Sequence, residues 1–158
     1  MPANSTKPTI TIGIDSSTTN CGVAVFKDGE LVGTENITFD GKYNLNKLEK
    51  IINAFSEVFQ KHNPDLVVLE EPAPVRHSKT LTSLNQVAGA IWAAAHMHGA
   101  YIDTIHNKTI KKYMNVKTKE DSINCVHEIC GLLVASDHEA DAVLTILAYE
   151  QYVIERTN

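Results

Sequence analysis

No apolar run in this chain approaches the roughly 18 residues that a membrane-spanning helix needs. The first residues, Met1 to Lys7, hold no apolar stretch of the kind a secretory signal requires. Neither a membrane partner nor export is expected, and the cytoplasm is the expected location. Cysteine is scarce. Cys21, Cys125 and Cys130 make an odd set without a CxxC pair, which argues against a disulfide framework or a zinc knuckle. Cys125, His127 and Cys130 are close in sequence, but on a helix His127 points away from both cysteines. They read as small side chains in a reducing compartment. Sequons at Asn4, Asn36 and Asn107 carry no weight without secretion. Basic excess is also missing. The net charge is −5 at pH 7, which taken alone argues against a nucleic-acid partner.

What is present changes that reading. The 158 residues are 43% apolar, enough for one packed core. A single domain over residues 9–158 is expected behind a disordered polar tail, residues 1–8. Positive charge is concentrated. Lys108, Lys111, Lys112, Lys117 and Lys119 fall in a stretch without an acid, and Arg76, His77 and Lys79 form a shorter one. Each suits a phosphate backbone, and each also suits a solvated surface.

Periodicity gives the elements. Residues 9–14, 21–26 and 31–39 read as strands, with Asp28-Gly29 as a two-residue hairpin turn between the last two. Apolar residues at 45, 48, 51, 52, 55, 58 and 59 have helical spacing. Residues 66–69 are a continuous apolar run, as in a buried central strand. Helices are expected over 81–98, 108–113, 119–133 and 137–155, and a short strand over 101–105. Ser136 and Glu139 form an S-x-x-E capping box before the last helix. The expected class is α/β: a five-stranded mixed sheet with helices on both faces. Its first three strands form an antiparallel meander, and its fourth and fifth are parallel.

Three acids stand where an acid is unexpected. Asp15 ends the first strand, Glu70 ends the apolar strand, and Asp141 opens an otherwise apolar helix. A carboxylate buried without a partner costs several kcal/mol. Singly, Asp15 suits a turn, Glu70 a solvent-facing pair with Glu71, and Asp141 a helix N-terminus. Jointly, three carboxylates near adjoining strand ends suit the hard cations Mg²⁺ or Mn²⁺. Two such ions bind both the attacking and the leaving oxygen of a phosphodiester.

The motifs Gly13-Ile14-Asp15, Gly22-Val23-Ala24-Val25, Leu69-Glu70-Glu71 and His138-Glu139-Ala140-Asp141-Ala142 resemble those of RuvC-type Holliday-junction resolvases. The chain is similar to a short, phage-type member. The resemblance covers about residues 9 to 150. It implies a ribonuclease H-like fold, a homodimer, two Mg²⁺ ions with Mn²⁺ as substitute, and paired nicks in branched DNA. It makes Asp15, Glu70, His138 and Asp141 the catalytic metal ligands. His138 stands where the family often has Asp, and Asp137 is its rival for that place. Ser16-Ser17 replaces the family's usual Pro-Gly. The loop Pro72-Ala73-Pro74-Val75 lacks the aromatic that the family uses at the junction. Relaxed sequence specificity is therefore expected, on four-way junctions and on three-way junctions or forks.

Two other readings stand beside this one. Residues 12–30 also resemble the first phosphate motif of the actin and heat-shock-70 superfamily, which would make the chain an ATP-binding fragment. Its eight glycines are scattered and form no second phosphate loop. A non-catalytic junction-binding protein would need the lysines but not the three acids.

Overall fold

A computed structural model of the chain describes residues 9–158; the expected disordered tail, residues 1–8, lies outside the described residues. Three strands, β1 (Ile10–Asp15), β2 (Asn20–Lys27) and β3 (Glu30–Thr38), form the antiparallel meander. Asp28 and Gly29 join β2 to β3 with φ of 52° and 83°, the backbone that a tight hairpin turn requires. After α1 (Leu45–His62), β4 (Leu66–Glu71) runs parallel to β1. After α2 (Ser78–Met97), β5 (Tyr101–His106) runs parallel to β4. The sheet order is β3-β2-β1-β4-β5. The chain ends in α3 (Asn107–Met114), α4 (Lys119–Cys130) and α5 (Asp137–Thr157).

Strand alternation divides the core into two layers. Ile12, Ile14, Val67 and Leu69 pack with Phe55 and Ile91, from α1 and α2. Ala24, Phe26 and Val68 face the other way, against Ile110, Val126, Val143 and Ile146 from α3, α4 and α5. Two helix ends differ from the sequence expectation. The polar turn Ser78-Lys79-Thr80 carries no apolar period, yet it belongs to α2, and the Leu81 N–H already bonds to the His77 carbonyl at 3.1 Å. Helix α4 stops short of residue 133 because Gly131 adopts φ 67° and its N–H caps the His127 carbonyl at 2.9 Å. Among the described residues no helix is long and apolar enough to cross a membrane.

Helix α5 lies directly on β1 and β2 because two glycines leave room for it. A Cβ on Gly22 would stand 1.8 Å from the His138 carbonyl oxygen, and one on Gly13 would stand 2.4 Å from that of Ala142. Both contacts are to backbone, which cannot swing aside. Gly22→Ala should therefore lift the first turn of α5 and cost about 1–3 kcal/mol of stability. Thermal denaturation measures this, and an unchanged midpoint would contradict so close a seat.

Candidate active site

Ile14 and Leu69 are register partners in the parallel β1–β4 pair, and both point into the α1–α2 layer. Asp15 and Glu70 come one residue later, so both turn to the opposite face, over which α5 begins. Ser136 caps α5 by accepting the Glu139 N–H at 3.2 Å. His138 and Asp141 lie three apart on this helix and share a face. His138 Nδ1 is 3.3 Å from Asp15 Oδ2. Glu70 and Asp141 line one cavity of about 170 Å³, together with Asn107, Lys111, Lys117 and Lys119. Asn107 Nδ2 donates to Glu70 Oε1 at 2.5 Å.

The electrostatics tie the four sequence-predicted residues into one group. Burial pushes the Glu70 carboxyl up to about 7, and the charge of Asp15 adds to the shift. Burial, and again Asp15, push Asp141 up to about 6. Burial raises Asp15 too, and its hydrogen bond to His138 opposes that shift. The same bond raises His138. Burial and mutual repulsion thus make all three acids resist ionisation. The side chains do not stand at coordinating distance. Among the described residues no group of three or more His, Cys, Asp or Glu is arranged to hold a metal ion. The chemistry of the donors nevertheless fits a hard divalent cation, being mainly carboxylate oxygen with mutual repulsion to relieve.

The remaining predicted residues separate. Lys111, Lys117 and Lys119 border the cavity, whereas Lys108 and Lys112 are exposed outside it, with Lys112 over the Tyr113 ring. Arg76 is exposed, and Lys79 lines a different groove beside Thr18 and Tyr43. Asp137, the rival of His138, pairs with Lys119 at 3.6 Å. Glu139 makes only part of its expected capping box. Its side chain reaches the Ser136 hydroxyl at 3.2 Å and accepts from Thr34 Oγ1 at 2.6 Å, which fixes the α5 start to β3. Asn107 has no place in the sequence argument beyond its sequon. The available signal was its position, directly after the strand that pairs with β4.

Residues 11–147 match the family described as crossover junction endodeoxyribonuclease RuvC. Among solved structures, Thermus thermophilus RuvC in complex with a Holliday junction substrate is similar at 21% identity and a TM-score of 0.79, over 93% of this chain and 96% of that one. A structure of T. thermophilus RuvC alone gives 22% and 0.77, over 94% and 97%. The yeast mitochondrial Holliday junction resolvase gives 12% and 0.66, over 89% and 78%. These likenesses show a shared fold, the ribonuclease H-like one. No curated protein matches. The family match spans most of the chain and covers β1, β4 and the α5 turn that bears His138 and Asp141, and so this protein belongs to the RuvC family of crossover junction endodeoxyribonucleases.

Proposed function

We propose that this protein is a structure-selective endonuclease that nicks branched DNA in a Mg²⁺-dependent reaction. The observation that carries the reading is geometric: Glu70 and Asp141 line one cavity, and His138, on the same face of α5 as Asp141, reaches Asp15 at 3.3 Å. In this reading Asp15, Glu70, His138 and Asp141 hold two Mg²⁺ ions, with Mn²⁺ able to substitute. Asp15, on the central strand, would be the ligand that both ions share. Bound there, the ions would polarise the scissile phosphodiester and lower the barrier to attack by water. The chain supplies the placement. The ends of β1 and β4 and the first turn of α5 bring the acids to one end of the sheet, and their side chains would close on the cations from there. The alternative role for His138, tethered to Asp15, is to orient water or move a proton instead of holding a cation. The test is cleavage of labelled four-way junctions with and without Mg²⁺, by wild type and Asp15→Asn. Nicking that needs neither the cation nor Asp15 would refute the proposal. The nuclease unit spans residues 9–158, and its free cysteines suit a cytoplasmic setting.

The lysines bring DNA to these acids. Lys111, Lys117 and Lys119 border the cavity and would grip phosphates beside the scissile one. Lys108, Lys112, Arg76 and Lys79 extend the contact outward. Two bound divalent ions would also offset four of the five net negative charges. Each phosphate contact contributes about 0.9 to the slope of log affinity against log salt. Replacing Lys111, Lys117 and Lys119 by Gln should therefore reduce that slope by roughly 2–3. Fluorescence anisotropy in EDTA measures it, and an unchanged slope would make the stretch a solvated surface.

A four-way junction has two-fold symmetry, so symmetric nicks call for a two-fold dimer. Ala88, Ala94 and Ala95 of α2 pack inward, but Gly89 and Ala93 are exposed, and Met97 is 82% exposed. These small residues would let a second copy approach closely. Sedimentation should show a dimer, and a monomer active at nanomolar concentration would refute it. Pro72-Ala73-Pro74-Val75, exposed from Ala73 onward, offer no aromatic ring to stack on a base. Recognition then rests on backbone shape and charge. Cuts should map to several sequences, on three-way junctions and forks as well.

A further inference from the structure

Asn107 is the first residue of α3 and follows β5 directly. β5 runs parallel to β4, with Ile105 opposite Glu70 and His106 opposite Glu71. The chain therefore leaves β5 at the edge of the sheet where Glu70 stands. From there the Asn107 amide donates to one Glu70 oxygen, Oε1, at 2.5 Å. A carboxylate only accepts, so the amide must present its nitrogen. The bond engages Oε1, and both residues line one cavity. A glutamate side chain carries close to the largest rotamer entropy of any residue, so a donor fixed at the start of α3 removes freedom that the Glu70 carboxylate would otherwise have.

Asn107 borders the same cavity as Asp141. It also directly precedes the stretch that carries the five lysines. The segment that would hold DNA thus touches one of the three acids through an uncharged side chain.

Resting on the reading under Proposed function, we infer that Asn107 is a positioning residue that orients Glu70 for cation binding. The lysine-bearing α3–α4 segment then sets the geometry of the site as well as gripping the substrate. Outer donors of this kind change metal affinity by about 10–100-fold when removed.

The test is Mn²⁺ binding to the full-length, DNA-free protein by titration calorimetry, for wild type, Asn107→Ala, Asn107→Leu and Glu70→Gln. Asn107→Leu keeps the approximate side-chain shape, removes the donor and adds no charge. Both Asn107 variants should bind Mn²⁺ at least about 10-fold more weakly. Nicking by Asn107→Ala should fall at low Mg²⁺ and recover as Mg²⁺ is raised, with junction affinity in EDTA unchanged. Wild-type Mn²⁺ affinity in both Asn107 variants, beside a weakened Glu70→Gln, would overturn this inference alone. A lower thermal midpoint in EDTA with unaltered Mn²⁺ affinity would also overturn it, since Asn107 would then only support the fold. Glu70→Gln that binds Mn²⁺ like wild type would overturn the proposed site, and this inference with it.

Discussion

Asp15→Asn and Glu70→Gln should each abolish nicking of a four-way junction while junction binding stays within a few-fold of wild type. Each substitution removes a charged donor to a cation expected to supply several kcal/mol at the transition state. At 1.36 kcal/mol per tenfold, the loss is about a thousandfold or more. Binding should survive because the lysines that would grip phosphates come from α3, α4 and the turn between them, whereas the acids come from the sheet and α5. The same substitutions should make the cation-free protein more stable at neutral pH. In the folded state Glu70 titrates at about 7 and Asp141 at about 6, both above ordinary carboxylate values. The folded protein therefore holds more protons than the unfolded chain between about pH 4 and 7. By linkage, the contribution of these two groups to stability is fully present below their unfolded values and is lost as pH rises through 6 and 7. Thermal denaturation in EDTA should show that fall in wild type and a shallower one in Asp15→Asn, which no longer repels its two neighbours. Mg²⁺ should reverse the fall in wild type only. Near wild-type cleavage by either variant would remove these acids from the mechanism.

The sequence made most of this architecture legible, for reasons that vary by element. The β1–β3 meander was readable because Asp28-Gly29 takes the positive φ that a two-residue turn needs. β4 was readable because Leu66 to Leu69 is unbroken apolar sequence and the strand is covered on both faces. Asp15 and Glu70 stood out because each acid directly follows a core residue. The less legible features depend on partners distant in sequence. Glu139 was expected to complete its own cap, but Thr34, on a strand over a hundred residues earlier, takes part of its bonding capacity. The pairing of Asn107 with Glu70 follows from strand order, which local periodicity does not encode. The lysine stretch was visible as charge, but only the fold separates Lys111, Lys117 and Lys119 at the cavity from Lys108 and Lys112 outside it.

His138→Ala should lower cleavage strongly, on the order of a hundredfold, the scale of lost acid–base assistance, whereas Asp137→Asn should change it little. The two residues are adjacent in the first turn of α5, and both act electrostatically on Asp15. Their partners differ. His138 directs Nδ1 at Asp15 Oδ2 at 3.3 Å, and its side chain is 29% exposed. Asp137 turns toward Lys119, with Oδ2 3.6 Å from Nζ. That ion pair joins the starts of α4 and α5, and its lysine is 81% exposed. An exposed pair of this kind contributes roughly 0–1 kcal/mol, so losing it should cost little fold or activity. Helical spacing does not separate them, since His138 stands three and Asp137 four before Asp141, and both spacings share a face; the partners do. An aspartate at 138 would supply an oxygen donor from the same position, so His138→Asp should retain activity with Mg²⁺. Imidazole suits Mn²⁺ better than Mg²⁺, so the wild type should gain more than His138→Asp when Mn²⁺ replaces Mg²⁺. Single-turnover cleavage of a four-way junction by the three variants, in each metal, decides the matter. Should Asp137→Asn abolish cleavage while His138→Ala leaves it intact, Asp137 is the fourth ligand, and its pair with Lys119 must open when the cation binds.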